Sequence, residues 1–457
     1  MSTFNSNDTI AAVSTAPGQA GISIIRISGD EAVSVADRIF NKDVSDIPSH
    51  TITYGHILDG QEIVDEVLLS VFKAPRSYTA EDIVEINCHG GYYVTEKILS
   101  LVLNNGARLA DPGEFTKRAF LNGRIDLCEA ESVMDIIRST DESSHKVSMA
   151  QLSGRLSDEI RSIREKILHE VAFIEAALDD PEHYTLDDYG KDLLVTVDKI
   201  REEVSVLLNT FDEGALIKNG IKTVIVGKPN AGKSSLLNAL SKNERAIVTD
   251  IPGTTRDVIE QEILLSGIKL ILFDTAGIRE ASDTVEKIGI DRSLSLIDKA
   301  DLIIYVVDSS TILDENDEKI ISCLNGMPVI TVLNKTDLNE KTSEDDLKKR
   351  IDSALISVSA KNELGLDKLS DEIKKMFFGG SIMEKEDIYI TSARHKKCLS
   401  DCLNSLNLVK NSIENGMSED FYSIDLMDAY VSLGHIIGES MEDDLVDKIF
   451  SEFCMGK

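Results

Sequence analysis

Val224-Ile225-Val226-Gly227-Lys228-Pro229-Asn230-Ala231-Gly232-Lys233-Ser234-Ser235-Leu236-Leu237-Asn238-Ala239-Leu240 is the stretch on which the reading of this 457-residue chain turns. Three β-branched residues predict a strand, Gly-x-x-x-x-Gly-Lys-Ser follows, and Leu236, Leu237 and Leu240 fall at helical spacing. A loop between a strand and a helix aims successive backbone N–H groups at an anion, and the helix N-terminus adds its dipole. The glycines let the backbone curl. Lys233 is expected to reach the β- and γ-phosphates of a nucleotide, and Ser234 to offer its hydroxyl to Mg²⁺. Ala231, Gly232 and Ser235 belong to the same phosphate cradle.

Three further motifs follow in order. Asp274-Thr275-Ala276-Gly277 ends an apolar run, Leu270–Phe273; Asp274 would hold Mg²⁺ through water and the Gly277 N–H would meet the γ-phosphate. Asn334-Lys335-Thr336-Asp337 ends the run Val329–Leu333. A carboxylate at Asp337 can accept both the N1–H and the exocyclic amine of guanine, a donor pair that adenine lacks. Ser359-Ala360-Lys361 ends the next strand and backs the guanine carbonyl. Between the phosphate loop and Asp274 lies Thr249-Asp250-Ile251-Pro252-Gly253-Thr254-Thr255-Arg256-Asp257, a switch loop in which Thr255, by position, closes over Mg²⁺. Each motif alone is weak. Together, each at the end of a predicted strand, they imply a guanine-nucleotide site.

Hydrolysis needs a group that orients water, and the residue after Gly277 is Ile278, which cannot hydrogen-bond it. Arg279, Glu280, Asp283 and Glu286 are the candidates nearby. Asn230 is the second departure: its amide could ligate a monovalent cation between the phosphates, or it is simply a turn residue.

Working outward, alternating strands and helices run from Ile221 to Phe378, the texture of a doubly wound parallel sheet. On the N-terminal side, Thr9–Ser14, Ile22–Ile27, Thr51–Leu58, Asp65–Phe72 and Asp82–Cys88 read as strands around a helix at Glu31–Phe40. That pattern predicts an α+β domain. Helical periodicity runs from Asp126 to about Phe211, broken at Asp179-Asp180-Pro181, and returns from Ile388 to Phe450. One helical domain interrupted by an inserted α/β domain is the economical reading, and two separate helical domains the alternative. The expected divisions are residues 1–120, 121–215, 216–380 and 381–457.

Composition narrows the function. The charge is 48 − 80 = −32, so the chain as a whole repels phosphate, and any RNA contact needs a local patch or a partner's surface. Segment 411–457 alone has eleven Asp and Glu against two Lys and Arg. There is no Trp and only 5% aromatic residue, which disfavours a base-stacking surface. Six scattered cysteines give neither a disulfide framework nor a zinc site. The N-terminus lacks the marks of a signal peptide, and the longest apolar runs, such as Leu302–Val307, are strand-sized. A cytoplasmic location, with no membrane partner, is expected.

Outside the nucleotide motifs, DTIAAVSTAPG and GISIIRISG (within 8–29), EDIVEINCHGG (81–91), DPGEFTKRAFLNGRIDL (111–127), DTAGIREASDTVEKIGI (274–290) and the terminal FCMGK (453–457) are specific marks. With them the chain resembles, end to end, the MnmE (TrmE) family of tRNA-modification GTPases. The resemblance implies an N-terminal folate-binding and dimerising α+β domain, a helical domain, and an inserted G domain. It implies a 5-formyltetrahydrofolate-type folate at Arg26, Glu85, Arg124 and Lys457, with a role for the tail cysteine, Cys454. Without the resemblance, Arg26 and Glu85 read equally well as a structural ion pair. Arg124 stands where the family commonly has Lys, which keeps the charge and changes its geometry. In the G domain the resemblance assigns K⁺ to Asn230, Thr249, Ile251 and Thr254, and the water-orienting role to Glu286. It also implies a homodimer acting with a flavoprotein, MnmG (GidA), in a heterotetramer or larger. The reaction the resemblance implies is addition, by the pair, of a carboxymethylaminomethyl or aminomethyl group to C5 of a tRNA wobble uridine. A GTPase switch in ribosome assembly is the alternative, and the basic RNA-binding domain it would need is missing from the sequence.

Overall fold

Seven consecutive buried residues, Leu302–Asp308, form the strand on which the nucleotide-binding half of the molecule is built. A strand covered on both faces reads as a continuous apolar run, which is why no alternation shows in the sequence there. The computed structural model describes residues 8–180, 183, 189–243, 261–273, 297, 299–380, 388–441, 443–454 and 456. The chain packs as two compact units: Met1–Met134, Gln151–Tyr184 and Glu419–Lys457 form the first, Asp135–Ala150 and Thr185–Ser418 the second.

In the first unit, β1 (Ile10–Val13), β2 (Ala20–Ser28), β3 (Thr51–Asp59), β4 (Glu62–Phe72), β5 (Ile83–Gly90) and β6 (Arg108–Leu109) make one sheet in the order β3-β4-β5-β2-β1-β6. Helices Ala32–Asp37 and Tyr92–Asn104 pack on one face, burying Ile25, Ile27, Val67, Leu69, Val84 and Ile86. The period-2 alternation sends Arg26 and Glu85 to the opposite face, where they stand directly across from each other. The expected strands are present, with β4 starting three residues earlier than the reading from Asp65. Helix Arg155–Asp179 buries Leu156, Ile160, Ile163, Ile167, Val171 and Ile174 at three- and four-residue spacing, and packs along helix Glu419–Ile437. Arg164 clamps that pair, with its guanidinium 4.0 Å from the Tyr430 ring centroid and 2.6 Å from the Glu439 carboxylate.

In the second unit, β7 (Ile221–Val226), β8 (Gln261–Leu265), β9 (Ile268–Leu272), β10 (Leu302–Asp308), β11 (Val329–Asn334) and β12 (Ala354–Ser357) form a sheet in the order β12-β11-β10-β7-β9-β8. All its pairs are parallel except β8 with β9. The strand order reverses around β7, so the crevice beyond its C-terminal end is the topological switch point. One core lies on each face of the sheet. Helix Tyr189–Asn209 packs against helix Ala393–Glu414, from the far side of the inserted fold in sequence, with Arg201 donating to Asn407 and Lys410 to Asp198.

Among the described residues, the helical run expected from Asp126 to Phe211 also breaks at Ser139–Asp141 and before Arg155. At Ser139–Asp141 the Asp141 carboxylate caps a new helix by accepting the Ser144 N–H. Gly154, at φ +84°, sits in the left-handed region and starts helix Arg155–Asp179.

Candidate functional site

β7 ends at Val226, and the loop Gly227–Gly232 carries the chain to helix Lys233–Asn243. Two glycines are dictated by space. A Cβ at Gly227 would lie 2.3 Å from the Val306 carbonyl oxygen, and one at Gly232 would lie 2.1 Å from Asn334 Nδ2. Asn230 takes φ +60°, a left-handed conformation that asparagine tolerates better than most residues. The Lys233 ammonium sits inside the curl, donating to the carbonyls of Gly227 at 2.7 Å and Lys228 at 2.8 Å. Ser234 and Ser235 lie exposed on the first helical turn.

The motifs expected to read the base converge on this loop. Asn334 is a buried latch: its Nδ2 donates to the Ala231 carbonyl at 3.0 Å, and its Oδ1 accepts the Ala360 N–H at 3.1 Å. Lys335 donates to the Asn230 carbonyl at 2.7 Å. Ser359 Oγ donates to Asp337 Oδ1 at 2.6 Å, and this bond, helped by Lys361 and Lys335, holds the carboxyl below its ordinary range. Asn230, Ala231, Gly232, Lys233, Asn334, Lys335, Asp337, Ser359 and Ala360 are therefore one assembly, with Lys361 exposed beside it. It presents loop N–H groups, a lysine ammonium and an ionised carboxylate, the complement of phosphates and a guanine edge. Thr249, Ile251, Thr254, Thr255, Asp274, Gly277 and Glu286 lie outside the described residues. Ile278 and the neighbouring candidates Arg279, Glu280 and Asp283 do as well.

The first unit holds a second cluster. Arg26 Nε donates to Glu85 Oε1 at 2.8 Å, and both side chains keep partial exposure, 15% and 19%. Two guanidinium groups face the Tyr78 ring, Arg26 at 5.4 Å from its centroid and Arg124 at 5.0 Å. Phe115 lies under Arg26 at 5.5 Å, and Arg124 is held by the Tyr78 carbonyl at 3.0 Å. Gly456 of the C-terminal tail reaches the same place. Ser14 Oγ donates to the Gly456 carbonyl at 3.0 Å, Arg26 Nη1 to the same oxygen at 3.4 Å, and the Gly113 N–H to the Cys454 carbonyl at 3.3 Å. A Cβ at Gly456 would stand 2.3 Å from the Val13 oxygen, so the tail needs glycine to lie this close. Cys454 is exposed, and Lys457 lies outside the described residues. Of the residues expected to share a site, Arg26, Glu85 and Arg124 are brought together around Tyr78. Tyr78 and Phe115 were not singled out in the sequence, where an aromatic in a turn and another in a helix carry no signal of a common cluster.

The comparisons agree with this architecture. The profile described as "GTP-binding protein TrmE N-terminus" matches residues 9–124, and that described as "MnmE helical domain" matches residues 127–454. The tRNA modification GTPase MnmE of Lachnoclostridium phytofermentans is 51% identical over 98% of this chain and 99% of its own length. The proteins of the same name from Thermoanaerobacter pseudethanolicus and Enterococcus faecalis are 47% and 45% identical, each over 98% of this chain, and are themselves covered over 99% and 98%. Among solved structures, the G domain of the T. maritima FeoB iron transporter is 28% identical over 34% of this chain and 98% of its own, with a TM-score of 0.26. With two family profiles spanning nearly its whole length and relatives at about half identity from end to end, the chain belongs to the MnmE family of tRNA modification GTPases.

Proposed function

We propose that this GTPase, as a homodimer and with a flavoprotein of the MnmG (GidA) kind, modifies C5 of the wobble uridine of certain tRNAs. The added group is carboxymethylaminomethyl or aminomethyl, and a 5-formyltetrahydrofolate-type folate supplies the one-carbon unit. The observation that carries this reading is the tail. Its carbonyls at Cys454 and Gly456 are tied to Gly113, Ser14 and Arg26, so Gly456 meets the Arg26–Glu85 pair beside Tyr78. A folate offers a flat ring with N–H donors, which a carboxylate such as Glu85 can accept, and terminal carboxylates, which the guanidinium groups of Arg26 and Arg124 fit. Lys457 would add an ammonium and the α-carboxylate there, and Cys454 a thiol.

Homodimerisation is supported by the outer face of the first sheet. Tyr54 and Leu68 pair directly across β3 and β4, Ile52 follows on the same face, and all three are exposed, at 52%, 43% and 67%. The acidic segment 411–457 suits a basic partner that carries the RNA. In the G domain Ser234 and Thr255 would hold Mg²⁺, and Asn230, Thr249, Ile251 and Thr254 a K⁺. When bound, these ions supply positive charge against the charge developing on the transferred phosphoryl group. Asn230 fits that role in one respect: its left-handed backbone turns the carbonyl to Lys335 and leaves the amide exposed. Glu286 would orient the attacking water. The domains divide at 1–120, 121–215, 216–380 and 381–457 on this reading.

The test is nucleoside analysis of bulk tRNA from a deletion strain carrying the wild-type, Arg26→Ala or Glu286→Ala chain. Wild type should restore the modified uridine and both variants should fail. Purified Arg26→Ala should still hydrolyse GTP, whereas Glu286→Ala should bind it and turn over ~10²–10⁴-fold more slowly. Full modification with Arg26→Ala would remove the folate site from the reading. Normal tRNA with defective ribosomal particles would point to the assembly switch.

A further inference from the structure

β10 ends on a carboxylate that none of the nucleotide motifs includes. Asp308 is 8% exposed, and its Oδ1 accepts the Ser310 N–H at 2.9 Å and the Ser310 hydroxyl at 2.6 Å. Its Oδ2 accepts the Lys335 ammonium at 2.6 Å. That ammonium also donates to the Asn230 carbonyl of the phosphate loop at 2.7 Å. Ser309 completes the attachment, its hydroxyl donating to the Lys335 carbonyl at 3.0 Å and its N–H to the Asn334 carbonyl at 2.9 Å. Lys335 and Asn230 both sit at positive φ, +64° and +60°, so the link joins two residues held in an uncommon backbone conformation. The same stretch of chain grips the phosphate loop a second time, where Asp314 at 2.9 Å and Asp317 at 2.5 Å receive the Lys228 ammonium.

We propose that Asp308 is a positioning residue for nucleotide binding: it aims Lys335 at the Asn230 carbonyl and so sets the guanine-reading loop and the phosphate loop in register before nucleotide arrives. A lysine side chain carries several freely rotating bonds, and ordering it at the moment of binding weakens affinity. Asp308 is fixed on one oxygen by Ser310 and uses the other to hold the ammonium, so that ordering is already complete in the protein alone. The inference rests on the reading that Lys335 belongs to the nucleotide site.

The experiment is a double-mutant cycle on the full-length chain, with GDP affinity measured by titration of a fluorescent GDP. Asp308→Asn keeps the acceptor for Ser310 and removes the charge that holds Lys335. It should weaken GDP by roughly tenfold or more, the scale of a hydrogen bond between charged groups. Lys335→Ala should weaken GDP at least as much, and the double variant no more than Lys335→Ala alone. Asp308→Ser, which can also bond Ser310, is the second variant and should give the same loss with the melting temperature of the nucleotide-free protein unchanged. Losses that simply add, or wild-type affinity in both Asp308 variants beside a weakened Lys335→Ala, would overturn the proposal and leave the site intact. Wild-type affinity in Lys335→Ala would overturn the site reading and the proposal together.

Discussion

Asp337 is the residue by which the proposed site tells guanine from other bases, and its chemistry can be reversed by one atom. Asp337→Asn should weaken GTP by about 10–100-fold, because two charge-assisted hydrogen bonds to the base are lost or inverted. Xanthosine triphosphate, which has an oxygen where guanine has its amine, should gain in return; a competition assay showing unchanged preference would contradict the assignment. The sequence made this residue legible because a carboxylate in Asn-x-x-Asp after an apolar strand has a definite partner. Asn334 was legible as a motif member but not as the latch joining two loops, since its partners are backbone atoms at Ala231 and Ala360, far away in sequence. Asp308 was not legible at all. An aspartate before two serines looks like any turn until the fold brings Lys335 beside it.

At the scale of elements, the helix Glu114–Leu121 is bound to the start of β1 by charge rather than by apolar packing alone. Arg118, 1% exposed, meets Asp8, Glu81 and Glu114, and Arg108 adds a second guanidinium at 2.7 Å from Glu114. Burial acts against ionisation of Glu114 and Asp8, but their arginine partners outweigh it and hold both carboxyls below their ordinary values. A lowered folded-state pKa adds stability that is fully present above the unfolded value, near pH 4, and is lost as pH falls through the folded one. Thermal melts of the wild-type chain should therefore steepen in their pH dependence below about pH 4. Glu114→Gln should reduce that dependence and cost about 3–5 kcal/mol at neutral pH, because it leaves buried guanidinium charge short of a partner. Melting curves as steep in acid for the variant as for wild type would refute this. Elements of this kind were readable from periodicity wherever one face is apolar, as in β2 and β5. The breaks at Asp141 and Gly154 were not, because a cap and a left-handed glycine leave the apolar repeat nearly undisturbed.

For the whole molecule, the exposed face of β3 and β4 sets the expected assembly. A charge at Tyr54, which pairs across to Leu68, should split a dimer that buries this face, so sedimentation of Tyr54→Asp should give a monomer. A variant that sediments like wild type would place the contact elsewhere. The helical pairing has a different consequence, one of timing. Helix Arg155–Asp179 hides its row of isoleucines against helix Glu419–Ile437, and the entire G domain is encoded between them. At ~5–20 residues per second the ribosome takes roughly ten to fifty seconds to make the intervening stretch. Throughout that interval the earlier helix has been synthesised and its partner has not, so its apolar stripe is open to chaperones and proteases. Ribosome-bound chains stopped before residue 419 should be cleaved within 155–179, and chains released beyond 437 should resist. Equal resistance in both would mean that another surface covers the stripe during synthesis.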